Sequence, residues 1–402
     1  MRCTVRKRSA STSGKSMSPD RFIARKLQFQ GKLAAASIAV SFLVIIVAVA
    51  VSSGFRQSVR DGVARLTGDI RIAPSSAVAT EGAPIPVHLP SEEAILAIPG
   101  VQSVRPVAVR AGIVRSGDII HGVLVKGLPD RPDSSLCVSI PTRLAAITGL
   151  REGDDMTTYF IGDQVRVRKF HVTEVHRDML EMDDNLVVYA NLADIQRLNG
   201  WNADQASALE VSVDPAHRTN LWVNDLTDEI GMRLLLSGAE GEDSLVATSS
   251  VRTYAQIFDW LDLLDFNVLV ILILMIVVAG VNMISGLLIV LFRNIATIGT
   301  LKTLGMGDRA IGKVFLRVAA GVVLKGMLVG NALGLLFCFV QQSTHLLKLD
   351  PSNYFVSYVP VHVDIPWILA ADAVAFAAIM LLLLIPTLFI ARVDPAQTVK
   401  AE

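Results

Sequence analysis

Four uninterrupted apolar runs constrain this chain more than any other feature: Leu33 to Ser52, Phe266 to Phe292, Val318 to Val340, and Ile368 to Ile390. Crossing a hydrocarbon core of roughly 30 Å takes about 20 residues of helix, and each run is long enough. Between the first and second run lie more than 200 residues of ordinary mixed polarity. The expected fold class is therefore a membrane protein with four transmembrane α-helices and a large mixed α/β domain inserted between helices one and two. A chain that is 52% hydrophobic yet 18% charged fits that mixture. The first run is too long for the core of a signal peptide, and Ser52-Ser53-Gly54-Phe55 is a poor cleavage site, so it reads as a retained helix.

Charge gives the orientation. Residues 1–32 carry nine Lys or Arg against the single acid Asp20, which places the N-terminus in the cytoplasm by the positive-inside rule. The stretch between helices two and three holds Arg293, Lys302, Arg309, Lys313 and Arg317 against Asp308, whereas 341–367 holds only Lys348. Residues 54–265 then lie outside the cytoplasm, with 19 basic and 30 acidic side chains, a balance that disfavours nucleic acid as a partner. Cys137 is the one cysteine there, so no intrachain disulfide framework is expected; Cys3 and Cys338 fall elsewhere.

The expected organisation is a basic cytoplasmic tail 1–32, transmembrane helix one 33–53, an exported α/β domain 54–262, helix two 263–292, a cytoplasmic loop 293–316, helix three 317–340, an exported loop 341–366, helix four 367–390 and a cytoplasmic tail 391–402. Within the exported domain, Gly68–Ala73, Val101–Arg110, Ile119–Lys126, Val165–Val175, Leu186–Tyr189, Leu209–Val213 and Leu245–Thr248 read as strands. Pro90–Ile98, Pro141–Thr148, Leu192–Leu198 and His217–Leu236 read as helices, and Pro74–Pro90 as a loop. Helix two spans 27 residues, about 40 Å at 1.5 Å rise, longer than the bilayer core; the amphipathic run Tyr254–Leu264 extends it outward as one stiff element.

Several chemistries fail on spacing. Ser13-Gly14-Lys15-Ser16 imitates the end of a phosphate-binding loop, but Ser9 stands where the first glycine is required and no strand precedes it. His171, Glu174, His176, Asp178, Glu181, Asp183 and Asp184 crowd together, yet in a strand the two histidines face opposite ways, and a solvated acidic hairpin explains the run better than a metal site. Asp372 is the one acid inside the spans and no His accompanies it, which leaves an intramembrane protease without its groups. Lys325 has two readings, a functional charge in helix three or a residue snorkelling to the interface. Gly326, Gly330 and Gly334 recur every four residues and form a smooth stripe for close helix packing, within the chain or between subunits, with Asn331 beside it as a hydrogen-bonding group.

The loop after helix two, Arg293 to Asp308, is the most informative stretch. Ile295, Ile298, Leu301 and Leu304 fall at threes, predicting a short helix that shows an apolar face to a partner and stops at Gly305. This segment resembles the one that follows the second helix in the FtsX/MacB-like permeases of ABC transporters. There a basic residue, Ile-Gly and Leu-Lys/Arg-x-Leu-Gly form the helix that couples to the ATPase, matched here by Arg293, Ile298, Gly299, Leu301, Lys302, Leu304 and Gly305. The family's Glu before Ile-Gly is Thr297 here, which removes an expected ionic contact.

Further matches resemble the lipoprotein-releasing LolC/LolE branch: Phe22-Ile23-Ala24-Arg25, Ser53-Gly54-Phe55, Asp183-Asp184-Asn185, Ala193 to Leu198, Tyr354 to Pro360 and Val393-Asp394-Pro395-Ala396. Where that branch has Gly before Leu-Ala, this chain has Arg143. The resemblance implies a non-catalytic inner-membrane subunit that binds no cofactor. ATP and Mg would sit on a separate ATPase dimer. A second permease subunit, identical or homologous, a lipoprotein substrate, a periplasmic lipoprotein carrier and membrane lipid would be its other partners. It also implies mechanotransmission from the coupling helix through helices one and two to the exported domain. Phe55, Val59, Val63, Phe258, Leu261 and Leu264, where those two helices leave the membrane, would line a cavity for acyl chains; core packing between the same helices explains them equally. Alternative readings are a MacB-like exporter working with a periplasmic adaptor and an FtsX-like regulator of a cell-wall hydrolase.

Overall fold

The computed structural model describes residues 32–75, 83–117, 119–131, 135–162, 164–177, 186–239, 242, 244–350, 354 and 356–387. Residues 1–31, with Cys3, Ser13 to Ser16 and Phe22 to Arg25, lie outside them, as do Gly82, Asp178 to Asn185, Phe355 and Val393 to Ala396. The chain forms two compact units. One comprises Val51–Phe266 and Gln341–His362, the other Met1–Ala50, Asn267–Val340 and Val363–Glu402.

In chain order, helix α1 (Lys32–Thr67) leads to strands β1 (Ile70–Pro74) and β2 (Ile85–Pro86), helix α2 (Glu92–Leu96), the long strands β3 (Val101–Ser116) and β4 (Ile119–Leu128), and β5 (Cys137–Pro141). Helix α3 (Thr142–Thr148), β6 (Asp155–Phe160), β7 (Arg166–His176), β8 (Val187–Asn191), α4 (Leu192–Asn199), β9 (Gln205–Ala206) and β10 (Ala208–Val213) follow. Then come α5 (Asn220–Leu236), β11 (Leu245–Ser249), α6 (Ser250–Thr253), α7 (Ala255–Arg293), α8 (Ile295–Thr303), α9 (Asp308–Thr344), α10 (Ile365–Leu382) and the short α11 (Leu384–Thr387).

The first unit is built on a sheet of order β11-β1-β10-β3-β4-β8-β5-β7-β6. β3 is long enough to serve two layers. Its first half pairs with β10, from Val101 to Val107, and its second half pairs with β4 and, through Ile113 and Val114, with β6. That last pairing brings β6 back to β3 and closes six strands on themselves. Two separate cores result: Val125, Ile140, Phe160, Phe170 and Val188 among others fill the closed part, and α5, through Ile230 and Leu234, and α2 cover the open part over Ile70, Ile72 and Val211. Each buried large aliphatic or aromatic side chain contributes roughly 1.5–3 kcal/mol.

Local chemistry sets the helix ends. Asn191 accepts from the Ala193 amide to start α4, and Thr219 does the same for Trp222 at the start of α5. The helix expected from His217 therefore begins at Asn220, because Pro215–His217 is a separate 3-10 turn. Tyr254, in a non-helical conformation, separates α6 from α7, and from Ala255 the helix runs unbroken to Arg293. β5 and β6 were not among the expected strands.

The second unit is a bundle of α10, most of α9 and parts of α1 and α7, with α8. Among the described residues, four helices, Ala34–Thr67, Ala255–Arg293, Asp308–Thr344 and Ile365–Thr387, are long and apolar enough to cross a membrane. Their shared core contains Ile38 and Phe42 of α1, Met283 and Leu287 of α7, Phe315 and Val323 of α9, and Ala375 and Ile379 of α10. Leu274, Val281, Leu328, Phe339, Leu369 and Val374 remain exposed on the outside, the surface a bilayer would cover.

Candidate functional site

The glycine stripe packs within the chain. A Cβ on Gly330 would lie 2.4 Å from the Ala39 carbonyl oxygen and 2.8 Å from Phe42 Cβ, and one on Gly326 would lie 2.7 Å from Ile38 Cγ2. At Gly334 the nearest atom is Ile46 Cγ2 at 3.1 Å. The stripe on α9 thus receives α1 almost backbone to backbone. Beside it, Asn331 Nδ2 donates to Asp372 Oδ2 of α10, and on the opposite pair Asn282 of α7 donates to Ser37 of α1. Lys325 is exposed on α9.

The loop from Arg293 forms the short helix α8 and stops as its residues dictate. Met306 N–H bonds to the Leu301 carbonyl and Gly305 N–H to the Lys302 carbonyl, both at 3.0 Å, the paired bonds of a Schellman ending. Gly305 has φ +87°, a conformation that costs a glycine nothing. Lys302 then closes on Asp308 at 2.8 Å.

The orientation of α8 corrects one expectation. Ile298, 1% exposed, joins the bundle core with Leu301 and Met306 packed against it, so these residues do not form the outward apolar face. Gly299 is buried with Ile298, and Lys302 is largely covered. Outward stand Arg293, Ala296, Thr297, Thr300, Thr303, Gly305 and Leu304, the last 79% exposed. The periodicity was real; half of it serves the chain's own fold.

The residues placed where helices one and two leave the bilayer do meet. Phe55, Val59 and Val63, four apart on α1, pack with Ile257, Phe258 and Leu261 of α7 and with Val356, while Leu264 sits at the edge of the cluster. The Phe55 and Trp260 rings meet edge to face at 6.0 Å. A polar rim borders the cluster: Ser52 Oγ donates to Asp265 at 2.6 Å, and Arg56 pairs with the same carboxylate. Phe55, Val59, Val63, Phe258 and Leu261 are buried against one another, as core packing between the two helices requires. Val356 and the Asp265 rim were missed from sequence; the signal was an acid directly preceding an apolar run.

Two buried charges also went unnoticed. Lys126 on β4 and Glu210 on β10 pair at 2.6 Å, and Lys126 Nζ further donates to the Arg65 and Leu66 carbonyls at 3.1 and 2.8 Å. The last turn of α1 is thereby capped by a cation, which also suits the negative end of its dipole. Nearby, Asp69 follows α1, accepts from Val213 N–H at 2.8 Å and forms an ion pair with Arg218, whose Nε lies 3.0 Å away. Burial still pushes its carboxyl up from the usual value. Of the histidines and acids weighed as metal ligands, His171 lies against Asp155 at 3.3 Å, His176 Nδ1 meets Ser139 Oγ at 2.7 Å and Glu174 pairs with Arg131 at 2.9 Å. Asp178, Glu181, Asp183 and Asp184 lie outside the described residues.

Parts of the chain resemble known proteins. Residues 269–395, which contain α8 and the glycine stripe, match the family described as FtsX-like permease C-terminal. The lipoprotein-releasing system transmembrane protein LolC of Xylella fastidiosa is 21% identical, covering 91% of this chain and 92% of that one. The protein of that name from Neisseria meningitidis is 25% identical over 194 residues, 43% of this chain and 46% of that relative. Among solved structures, the periplasmic region of MacB from Actinobacillus actinomycetemcomitans aligns with 47% of this chain and 91% of its own at 14% identity and a TM-score of 0.31. The extracellular domain of the noncanonic ABC-type transporter YknZ aligns with 45% and 99% at 11% identity and 0.29. Residues 269–395 therefore resemble an FtsX-like permease C-terminal domain, and the likeness to LolC extends along most of the chain.

Proposed function

We propose that this chain is the permease subunit of an ATP-driven ABC transporter that extracts lipoproteins from the inner membrane and hands them to a periplasmic carrier. The observation that carries this reading is likeness along 91% of the chain to proteins named for lipoprotein release. In this reading both termini are cytoplasmic, the α/β unit is periplasmic, and ATP and Mg bind a separate ATPase dimer. A second permease, identical or homologous, completes the membrane part.

The coupling step uses the outward residues of α8 and of the chain at its two ends. ATPase closure presses on Arg293, Thr297, Thr300 and Leu304. Because Ile298, Leu301 and the Lys302–Asp308 pair fasten α8 to α7 and α9, the push moves the bundle rather than bending the loop. α1 and α7 continue from one unit into the other, which makes them the covalent route for that movement. Parting them would open Phe55, Val59, Val63, Phe258, Leu261 and Leu264 to acyl chains, with the Asp265 rim at the edge.

The test is depletion of this chain in its own organism followed by membrane fractionation. Accumulation of lipoproteins in the inner membrane, with an ATPase subunit and a soluble carrier recovered on the tagged chain, is expected. Recovery of a periplasmic adaptor with normal lipoprotein sorting would favour a MacB-like exporter, and recovery of a cell-wall hydrolase would favour an FtsX-like regulator.

A further inference from the structure

Beside the last turn of α1, the sheet unit holds a cavity of about 320 Å³, walled by Gly62 and Leu66 of α1, Leu128 of β4 and Tyr189 of β8. That volume lies at the small end of the range for small-molecule sites, roughly 300–1,000 Å³. Its ionisable lining is unusual for this unit. Among the described residues, Arg65, Arg105, Lys126, Arg131, His176 and Arg177 face it against Glu174 and Glu210, although residues 54–265 as a whole carry 30 acids and 19 bases.

Lys126 and Glu210 take no part in binding a ligand directly. The three protons of the ammonium are matched by the Arg65 and Leu66 carbonyls and by Glu210, so this pair is a neutral, saturated floor. Four guanidinium groups remain, with one lining carboxylate among them. Arg131 shares Glu174 at 2.9 Å and lies 5.4 Å from the Tyr189 ring centroid. Among the described residues, Arg105 reaches Asp130, outside the lining, at 3.8 Å, and the Ser212 hydroxyl at 3.4 Å, while its buried Nε has no hydrogen-bond acceptor. Among the described residues, neither the Arg65 nor the Arg177 side chain has an ion-pair or hydrogen-bond partner.

We propose that this cavity binds a phosphoryl group carried on a small organic substituent, with Arg65, Arg105, Arg131 and Arg177 as its donors. Guanidinium forks match the oxygens of a phosphate in pairs, and a dianion offsets several of them at once where a lone carboxylate would offset one. Leu66, Leu128 and the Tyr189 ring supply an apolar wall for the ester's carbon part. The phosphoryl group would come from a soluble phosphate ester or from a lipid headgroup.

Calorimetric titration of the purified full-length chain in a neutral detergent tests this, with glycerol 3-phosphate, short-chain phosphatidic acid in the same micelles, and citrate as probes. Saturable binding of glycerol 3-phosphate is expected, weakened by about tenfold or more in the double variant Arg65→Gln, Arg177→Gln, since each removes a charge-assisted bond. Citrate is expected to bind at least that much more weakly. Equal binding of the two phosphate probes assigns a soluble ester; much tighter phosphatidic acid assigns a lipid. Failure of both phosphate probes to saturate, equal binding of citrate, or unchanged binding in the double variant overturns the proposal. If the double variant melts below the wild type, Arg105→Gln, which leaves the exposed Arg65 and Arg177 in place, is read by the same criterion.

Discussion

Lys126 Nζ lies 2.6 Å from Glu210 Oε1, with both side chains almost wholly buried and the ammonium also holding the final carbonyls of α1. One buried ion pair thus ties the end of the first long helix to β4 and β10. Removing one partner leaves an uncompensated charge, at a cost of about 3–5 kcal/mol. Lys126→Met is therefore expected to lower the thermal midpoint of the purified chain sharply. Lys126→Met with Glu210→Gln is expected to recover much of the loss, because the orphaned carboxylate is gone. Equal midpoints for the single and double variants would show that packing, not charge, holds the joint.

The contact of Gly330 with the Ala39 carbonyl sets a graded prediction along one stripe. Backbone cannot move aside as a side chain can, so Gly330→Val is expected to cost about 1–3 kcal/mol or to prevent assembly of the bundle. Gly334→Ala, whose added Cβ would come no closer than 3.1 Å to Ile46 Cγ2, 3.2 Å to Ile46 Cβ and 3.5 Å to the Leu43 carbonyl oxygen, is expected to cost less. Melting in detergent gives the order, and a larger loss at Gly334 would contradict it.

On α8 the inward and outward residues separate stability from coupling. Ile298→Ala empties a place in the bundle core and is expected to destabilise by about 2–5 kcal/mol. Leu304→Ala, at an exposed position, is expected to change stability by less than about 0.5 kcal/mol while reducing recovery of the ATPase with the tagged chain. Unchanged recovery in Leu304→Ala would remove this residue from the docking face.

Arg252 holds Asp228 with two bonds, at 2.7 and 2.8 Å, and this keeps the carboxyl below its usual value of 3.8. A carboxylate depressed in the folded state adds stability above its unfolded pKa and loses it as pH falls through the folded value. The melting curves of wild type and Arg252→Gln are thus expected to differ slightly at pH 7 and to converge below about pH 3.8. A gap that widens in acid would reverse the sign and exclude the pair as its source.

The four long helices were legible because a membrane-crossing helix writes a continuous apolar run into the sequence, and α7 from Ala255 followed from amphipathicity just outside that run. β6 escaped because its inward residues are Met156, Thr158 and Phe160, and a polar threonine at the centre masks the alternation that marks a half-buried strand. Lys126 and Glu210 were visible only as lone charges in apolar strands; 84 residues separate them, and no local pattern joins partners so far apart. For α8, spacing at threes marked a buried face without saying what buries it, since the bundle's own core and a docking partner demand the same periodicity.

The segment joining α9 to α10 bears on how the chain can be altered. Gln341 bonds through its amide to both Leu347 and Val359, Leu349 and Ser357 pair through their backbones, and a Cβ on Gly54 would fall 2.3 Å from the Pro360 oxygen. The described residues on either side, Gln341, Leu347, Leu349 and Ser357 to Pro360, are thus held at fixed spacing, and epitope tags or reporter fusions do not belong at those positions.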